Sequence, residues 1–593
     1  MLRYTITPDA AHHAWDVALT LPAPAAPRLR LVMPTWTPGS YVLREYSGRI
    51  SEVRAWCAGE PLELEQIGKA EWMLDLTEAP DASMIEIRWR AFAFSTGIHD
   101  AWLDHDRGFI NPPAVLLHPA GRTTEALDVE VAFRAPGWRV HTALDPAEGE
   151  SVWRARSLDE LFDSPFVLTP ESGAGAVIWT LEACGVPHDI VITGTGSLNR
   201  ERIGRDLKRI FETAAAFWDP EAAKPPFRRY MLAMHLGPGL YGGLEHAAGT
   251  MLLEDPQTLP AAGEAEPPKR YDEFLVLAAH EYFHAWLVKR LKPAAFLPYD
   301  LSRETYTHDL WIFEGFTSYF ESVIARRAGV ISEEAYRRHF AERMNFALGR
   351  EGFDAMSLAE SSFNAWVKLY RQTEDSAYTQ ISYYTKGALA ALIINRALLE
   401  RSGGGVSLEG FLARWFAGVR GAVAAGRWPG LADGALGDVI AETTGVDLRA
   451  LIATLVHERD GRRFWVKEVE ASLAAEGLKS EPDPEAPAAL RIAGITCRRE
   501  AGRVVAGYVP SRSPAFAAGL FAGDEIIAVA GERTTPEGFA RQIERARGRR
   551  VEIHYFRGPR LLSGTLDLAA APDPAFLELL PRRIVPLDQK SGS

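Results

Sequence analysis

Five consecutive residues, His280-Glu281-Tyr282-Phe283-His284, carry the strongest chemical signal in the chain. The surrounding YDEFLVLAAHEYFHAWLVKRL has helical periodicity, and at 3.6 residues per turn two histidines four apart project from one face. They can share one divalent ion, with Glu281 close enough to reach a water on it. A tetrahedral catalytic zinc needs a third protein ligand and an open fourth position, so another His, Glu or Asp must follow on a separate element. Glu304, His308, Asp309 and Glu314 are the downstream candidates. Glu314 is preferred, because Trp311-Ile312-Phe313-Glu314-Gly315-Phe316 opens an apolar helical stretch that can hold a carboxylate rigidly. Glu304 lies instead in the polar segment DLSRETYTHD. Glu321, two turns past Glu314, is placed to accept the second ring N–H of a ligand histidine.

These residues need elements to carry them, and the chain falls into regions of different pattern. Residues 1–170 alternate short β-like stretches (LRLVMP, MIEIRWRAFAF, LDVEVAF) with Pro- and Gly-bearing turns, which predicts an antiparallel β-sandwich. Residues 171–470 begin with strands and pass into long helical patterns, among them WIFEGFTSYFESVIARRAG and TKGALAALIINRALLERS. The segment SEPDPEAP (480–487) reads as an exposed, semi-rigid stretch near the start of a further domain spanning 471–571. Residues 572–593 read as a frayed C-terminal tail.

Composition narrows the functions open to such a chain. It has 593 residues, 47% of them apolar, which is material for several cores rather than one. The formal charge of -13 removes any global field that would collect nucleic acid or an anionic membrane, and suits a cationic ligand better. Cys57, Cys184 and Cys497 are widely spaced and odd in number, which excludes a disulfide framework and a cysteine zinc site. The N-terminal residues show no apolar run followed by a small-residue cleavage site, so a cytoplasmic location is expected.

Four ordered motifs resemble a known group. HEYFHAW, then WIFEGFTSYF, then YYTKGA look like the gluzincin aminopeptidases related to aminopeptidase N, and Gly242-Gly243-Leu244-Glu245-His246 is similar to their upstream exopeptidase motif. Twenty-nine residues separate His284 from Glu314, a longer interval than in those relatives, whose spacing would land on Arg303. His246 also stands where their motif has Asn. The longer insert, the Trp36–Tyr41 segment WTPGSY and a PDZ-like C-terminal module instead resemble the glycyl aminopeptidase family of zinc metallopeptidases.

That resemblance implies a multidomain α+β chain: an N-terminal β-sandwich, a thermolysin-like catalytic domain with a helical region, and a C-terminal PDZ domain. It makes His280, His284 and Glu314 the ligands of one catalytic Zn2+ and Glu281 the general base. Tyr384, with Tyr383 beside it as the alternative, would hydrogen-bond the oxyanion. Glu245 would hold the substrate's α-ammonium, with Gly242 and Gly243 letting the backbone come near the substrate. Peptides with a free N-terminal Gly or Ala are the implied substrates. SPAFAAGLFAGDEIIAV resembles PDZ sequences and implies a peptide or C-terminal ligand there, although only Gly494-Ile495 approximates the carboxylate-binding loop. Two rival functions remain open at this point: a zinc endopeptidase or other zinc hydrolase, and a PDZ-mediated peptide binder with a silent peptidase body.

Overall fold

The computed structural model describes residues 1–587 apart from 25, 78–83, 122–127, 150 and 196. Its contacts divide the chain into two units. The first holds residues 1–307, 323–331 and 412–435, the second 308–322, 332–411 and 436–593.

Alternating sequence becomes alternating burial in the N-terminal part of the first unit. Every second residue of Met84–Phe92 is buried, and Ala14–Pro22 pairs along its full length with it. These strands belong to an eight-stranded sheet, accompanied by two four-stranded ones. The region is β-rich, as its pattern predicts. Among its described pairings only Leu2–Asp9 with Val129–Phe133 is parallel.

A five-stranded sheet follows, ordered Ala176–Ala183, Val186–Thr193, Tyr230–Leu236, Gly249–Glu254 and, at the edge, Gly242–His246. The three middle strands run parallel, and the nearly continuous burial of Tyr230–Leu236 and Gly249–Glu254 is what strands covered on both faces require. The edge strand returns antiparallel to Gly249–Glu254. Ile98, Phe109 and Val167 of the N-terminal part share one apolar cluster with Met231, Leu244 and Met251, so the two sheet systems of this unit pack on a common core.

Helix Tyr271–Phe283 lies against this sheet. Tyr282 and Phe283, the two residues inside the His-Glu-x-x-His motif, are fully buried. Tyr282 stacks on Phe211 at 4.2 Å and hydrogen-bonds His188 at 3.0 Å, while Phe283 packs against Phe217 and Trp218. Burial of these two rings sets the rotation of the helix, and hence the face that presents His280 and Glu281. The helix is shorter than its periodicity predicts. It ends at Phe283, with His284 as C-cap, and Val288 adopts φ 88° as the chain turns back on itself.

The second unit is built on helix Leu310–Arg327 as far as residue 322, and on Glu333–Leu348 and Tyr383–Arg401. The first and third meet at glycines: a Cβ built on Gly315 would lie 2.5 Å from Gly387 Cα, and one on Gly387 would lie 2.8 Å from the Trp311 carbonyl oxygen. Two backbones in contact leave no room for any side chain, which explains why a glycine follows both Glu314 and Lys386.

The C-terminal part of this unit is a six-stranded sheet with helix Phe539–Ala546 around its own core of Ile526, Ile543, Ile553 and neighbours. It docks on the helical part through Tyr378, whose hydroxyl donates to the Val509 carbonyl at 2.7 Å and whose ring stacks on Phe521 at 5.3 Å. Two sequence expectations are corrected here. Arg582–Pro586 pairs with Leu478–Pro482, so the 572–587 stretch is not a frayed tail and the first residues of SEPDPEAP are strand. Proline and acid mislead because this two-stranded ribbon is held partly by side chains, Arg582 reaching Ser480 and Glu470. Residues 588–593 of the expected tail lie outside the described residues.

The glycine crossing predicts an asymmetric pair of variants. Gly387→Ala should cost about 1–3 kcal/mol by overpacking. Gly418→Ala, in the Leu408–Ala424 helix with open space around it, should be neutral or stabilising by about 0.5–1 kcal/mol. Denaturant unfolding of the three chains side by side checks this. Equal behaviour of the two variants would contradict the crossing.

Candidate metal centre

His284 is pinned before any metal is considered. Its Nδ1 lies 2.9 Å from the Leu287 carbonyl oxygen, which can only accept, so the proton sits on Nδ1 and Nε2 is left with a lone pair. That Nε2 faces the His280 Nε2 across 3.0 Å, with the rings at 82° to each other. Two imidazoles sharing a tetrahedral zinc at about 2.0–2.1 Å each hold their nitrogens roughly 3.3 Å apart, so the pair fits a metal with little adjustment. The Nδ1–H bond to Leu287 orients the ring and fixes its tautomer, as a metal-binding imidazole needs.

Glu281 projects beside this pair and is buried. Room for it exists because the edge strand carries no side chain where it passes: a Cβ on Gly243 would fall 2.5 Å from Glu281 Cδ. Gly242, at φ 153°, adopts a backbone angle that favours glycine. Two residues along the same strand, Glu245 is buried as well, and one donor atom each from Glu245, Glu281 and His284 lie within 4.8 Å of one another. The expected motif residues Gly242, Gly243, Glu245, Glu281, His280 and His284 are therefore assembled at one place in the first unit.

The surroundings of Glu245 were not legible in the sequence. Gly39, at φ 96° within WTPGSY, comes so close that a Cβ there would lie 2.5 Å from Glu245 Oε2. Lys289 Nζ lies 3.9 Å from Glu245 Oε1 and 2.8 Å from Asp163 Oδ1. Asp163 also takes the Ala247 backbone N–H at 2.8 Å and faces His246 Nδ1 at 3.2 Å. Burial alone would raise the Asp163 pKa, but Lys289 and His246 outweigh it and hold the carboxyl well below the usual range. Burial likewise pulls the Lys289 ammonium down, and the charges of Asp163 and Glu245 more than restore it. A Lys five residues after His284 was the only sequence signal, and nothing in its spacing singled it out.

In the second unit, Glu314 is buried on the first turns of Leu310–Arg327, with the Gly315 crossing directly beneath it. Tyr383 and Tyr384 separate clearly: Tyr383 is fully buried, while Tyr384 is half-buried and its hydroxyl meets that of Tyr370 at 3.0 Å. Burial first, then the charge of Glu314, push the Tyr384 pKa well above 10, so the phenol keeps its proton as a hydrogen-bond donor. Tyr370 was not anticipated. Glu321 forms an ion pair with Arg343. Glu304 lies half-buried on the loop before the helix and belongs to neither donor group found among the described residues.

Parts of the chain match known proteins. Residues 3–170 match the peptidase M61 N-terminal domain, and residues 273–390 match the M61 glycyl aminopeptidase. No curated protein matches the chain. Among solved structures, an aminopeptidase N family protein from Idiomarina loihiensis superposes with a TM-score of 0.86 at 29% identity, covering 98% of this chain and 100% of its own. An M1 zinc metallopeptidase from Deinococcus radiodurans gives 0.44 at 15% identity, over 78% of this chain and 93% of its own. Legionella pneumophila aminopeptidase A gives 0.47 at 13%, over 77% and 49%. These matches identify the chain as a peptidase. Domains of the M61 peptidase family are thus recognised over residues 3–170 and 273–390.

The donor geometry predicts how metal binding distributes over the chain. Zinc titrated into chelator-stripped protein, followed by calorimetry, should bind at one equivalent. His280→Ala and His284→Ala should abolish that event, and Glu304→Ala should leave it intact. Unchanged binding in either histidine variant would refute the site.

Proposed function

We propose that this chain is a zinc aminopeptidase that removes small N-terminal residues, Gly or Ala, from peptides, with His280, His284 and Glu314 as metal ligands. One observation carries the reading: the Nε2 atoms of His280 and His284 face each other across 3.0 Å, with the Glu281 carboxylate beside His284. Two imidazoles and a carboxylate are a donor set that suits zinc and leaves a fourth position open. When bound there, the ion supplies a water of lowered pKa and polarises the scissile carbonyl.

The remaining roles belong to the chain. Glu281, fixed against the bare backbone of Gly243, takes a proton from the attacking water and returns it to the departing amine. Tyr384 enters with its proton on and donates a hydrogen bond to the oxygen on which negative charge develops. Glu245 receives the α-ammonium of the substrate. A carboxylate held this near Glu281 measures a single residue from the free N-terminus, which makes cleavage exopeptidic. Gly39 closes over Glu245 from the WTPGSY loop and leaves little space beside the ammonium, in keeping with small first residues.

The C-terminal sheet we read as a PDZ-like module with a packing role. Gly494, the nearest thing to a carboxylate-binding loop, is covered by Phe576, since a Cβ there would lie 2.8 Å from that ring. The module's bonds to Tyr378 and Glu351 fit the same reading. Free thiols at Cys57, Cys184 and Cys497 favour a reducing, cytoplasmic setting. Among the described residues no helix is long and apolar enough to cross a membrane.

Two measurements test the mechanism. Glu281→Gln should lose about 10²–10⁴-fold in kcat while still binding one zinc, and undiminished turnover would end the assignment of the base. N-acetylation of a Gly- or Ala-starting peptide should abolish its cleavage. Equal rates on free and acetylated peptide would instead make the enzyme an endopeptidase.

A further inference from the structure

A cavity of about 580 Å3 in the first unit is bordered by Pro38 of the WTPGSY loop, by Ala247 and Ala248, and by Lys289. None of His280, His284, Glu281 or Glu245 lines it, so it is a separate space that adjoins the surroundings of Glu245 at Lys289 and Asp163. Its charge opposes that of the chain. The whole molecule carries -13, yet seven cationic and four acidic side chains line this one cavity.

Pairing removes some of these and leaves an excess. Glu160 is taken by Arg156, Asp163 by Lys289, and Arg229 lies 3.6 Å from Asp189. Lys224, Arg228, Arg290 and Lys292 remain without a carboxylate partner among the described residues, against only Asp145 and Asp159. Arg290 spends its guanidinium on the carbonyls of Ala247, Ala285 and Pro226. Lys292 makes no hydrogen bond or ion pair among the described residues, and its ammonium rests 4.6 Å from the centre of the Tyr299 ring. Burial, helped by the neighbouring Lys289 charge, pushes it down to about 8, a penalty that an anion would relieve. Asp159 is raised by burial to about 6, partly offset by the Lys292 charge. Phe227, Phe296 and Tyr299 add apolar wall.

We propose that this cavity is a second binding site, for a small organic oxyanion, whose carboxylate or phosphate group is held by Lys292 and Arg228 while its body lies along the aromatic wall. A volume of this size admits a metabolite-sized ligand rather than a lone ion. Charge-assisted bonds from two cations fix the anionic end.

Calorimetric titration of the full chain at constant ionic strength, with sodium benzoate and with inorganic phosphate as probes, tests the site without reference to peptidase turnover. Saturable binding of at least one probe is expected, weakened about tenfold or more in Lys292→Met and in Arg228→Ala. Arg228 is exposed, so its variant reports even if Lys292→Met folds poorly. Tighter benzoate assigns a carboxylate, and tighter phosphate a phosphate group, as the anionic end of the ligand. No saturable binding of either probe up to about 10 mM, or binding that Arg228→Ala leaves unchanged, overturns the proposal.

Discussion

How near a peptide backbone can pass to a carboxylate decides the layout of the peptidase site. The edge strand Gly242–His246 runs so close to helix Tyr271–Phe283 that Glu281 occupies the volume in which any residue but glycine at 243 would place its Cβ. This approach holds Glu281 against a rigid sheet edge and presents Glu245, two residues on, from the same side of the strand. It also depends on the burial of Tyr282 and Phe283, because a helix turned by one position would carry Glu281 away from the strand. The chemistry is thus positioned by packing that contains none of the reacting groups.

Around this contact the protein tolerates a costly arrangement. Lys289 is a buried cation 3.9 Å from the buried Glu245, and it reaches that place only because Val288 accepts a backbone angle that a β-branched residue ordinarily avoids. Asp163, His246 and the Ala247 N–H compensate by completing the bonds of the cluster. The fixed Lys289 ammonium thus already satisfies part of the Glu245 carboxylate.

Sequence and structure agree where the signal is local. The spacing of His280 and His284 is a property of one helical turn, and their rings do face each other. β-rich residues 1–170 declared themselves by alternation, as Met84–Phe92 shows. What stayed hidden arises from contacts distant in the chain. Gly39 meets Glu245 across some two hundred residues, and Asp163 meets Lys289 at a separation of 126. Tyr384 could not be told from Tyr383 because neighbours on a helix face different ways, and only packing chooses between them. The strand Arg582–Pro586 was missed because a charged, Pro-containing ribbon lacks the apolar alternation on which strand reading relies.

The glycines at 315 and 387 belong to motifs that look independent, one following the acid of WIFEG, the other following the lysine of YYTKG. In space they are a single contact, and neither partner can shrink to make room for the other. An ordinary packed pair can drift, since a larger residue on one side is offset by a smaller one opposite. Here no smaller residue exists, so mutational paths that enlarge either site are closed from both directions at once. The two helices carrying Glu314 and Tyr384 are in this sense a locked couple, free to vary over their outer faces but not at the point where they cross.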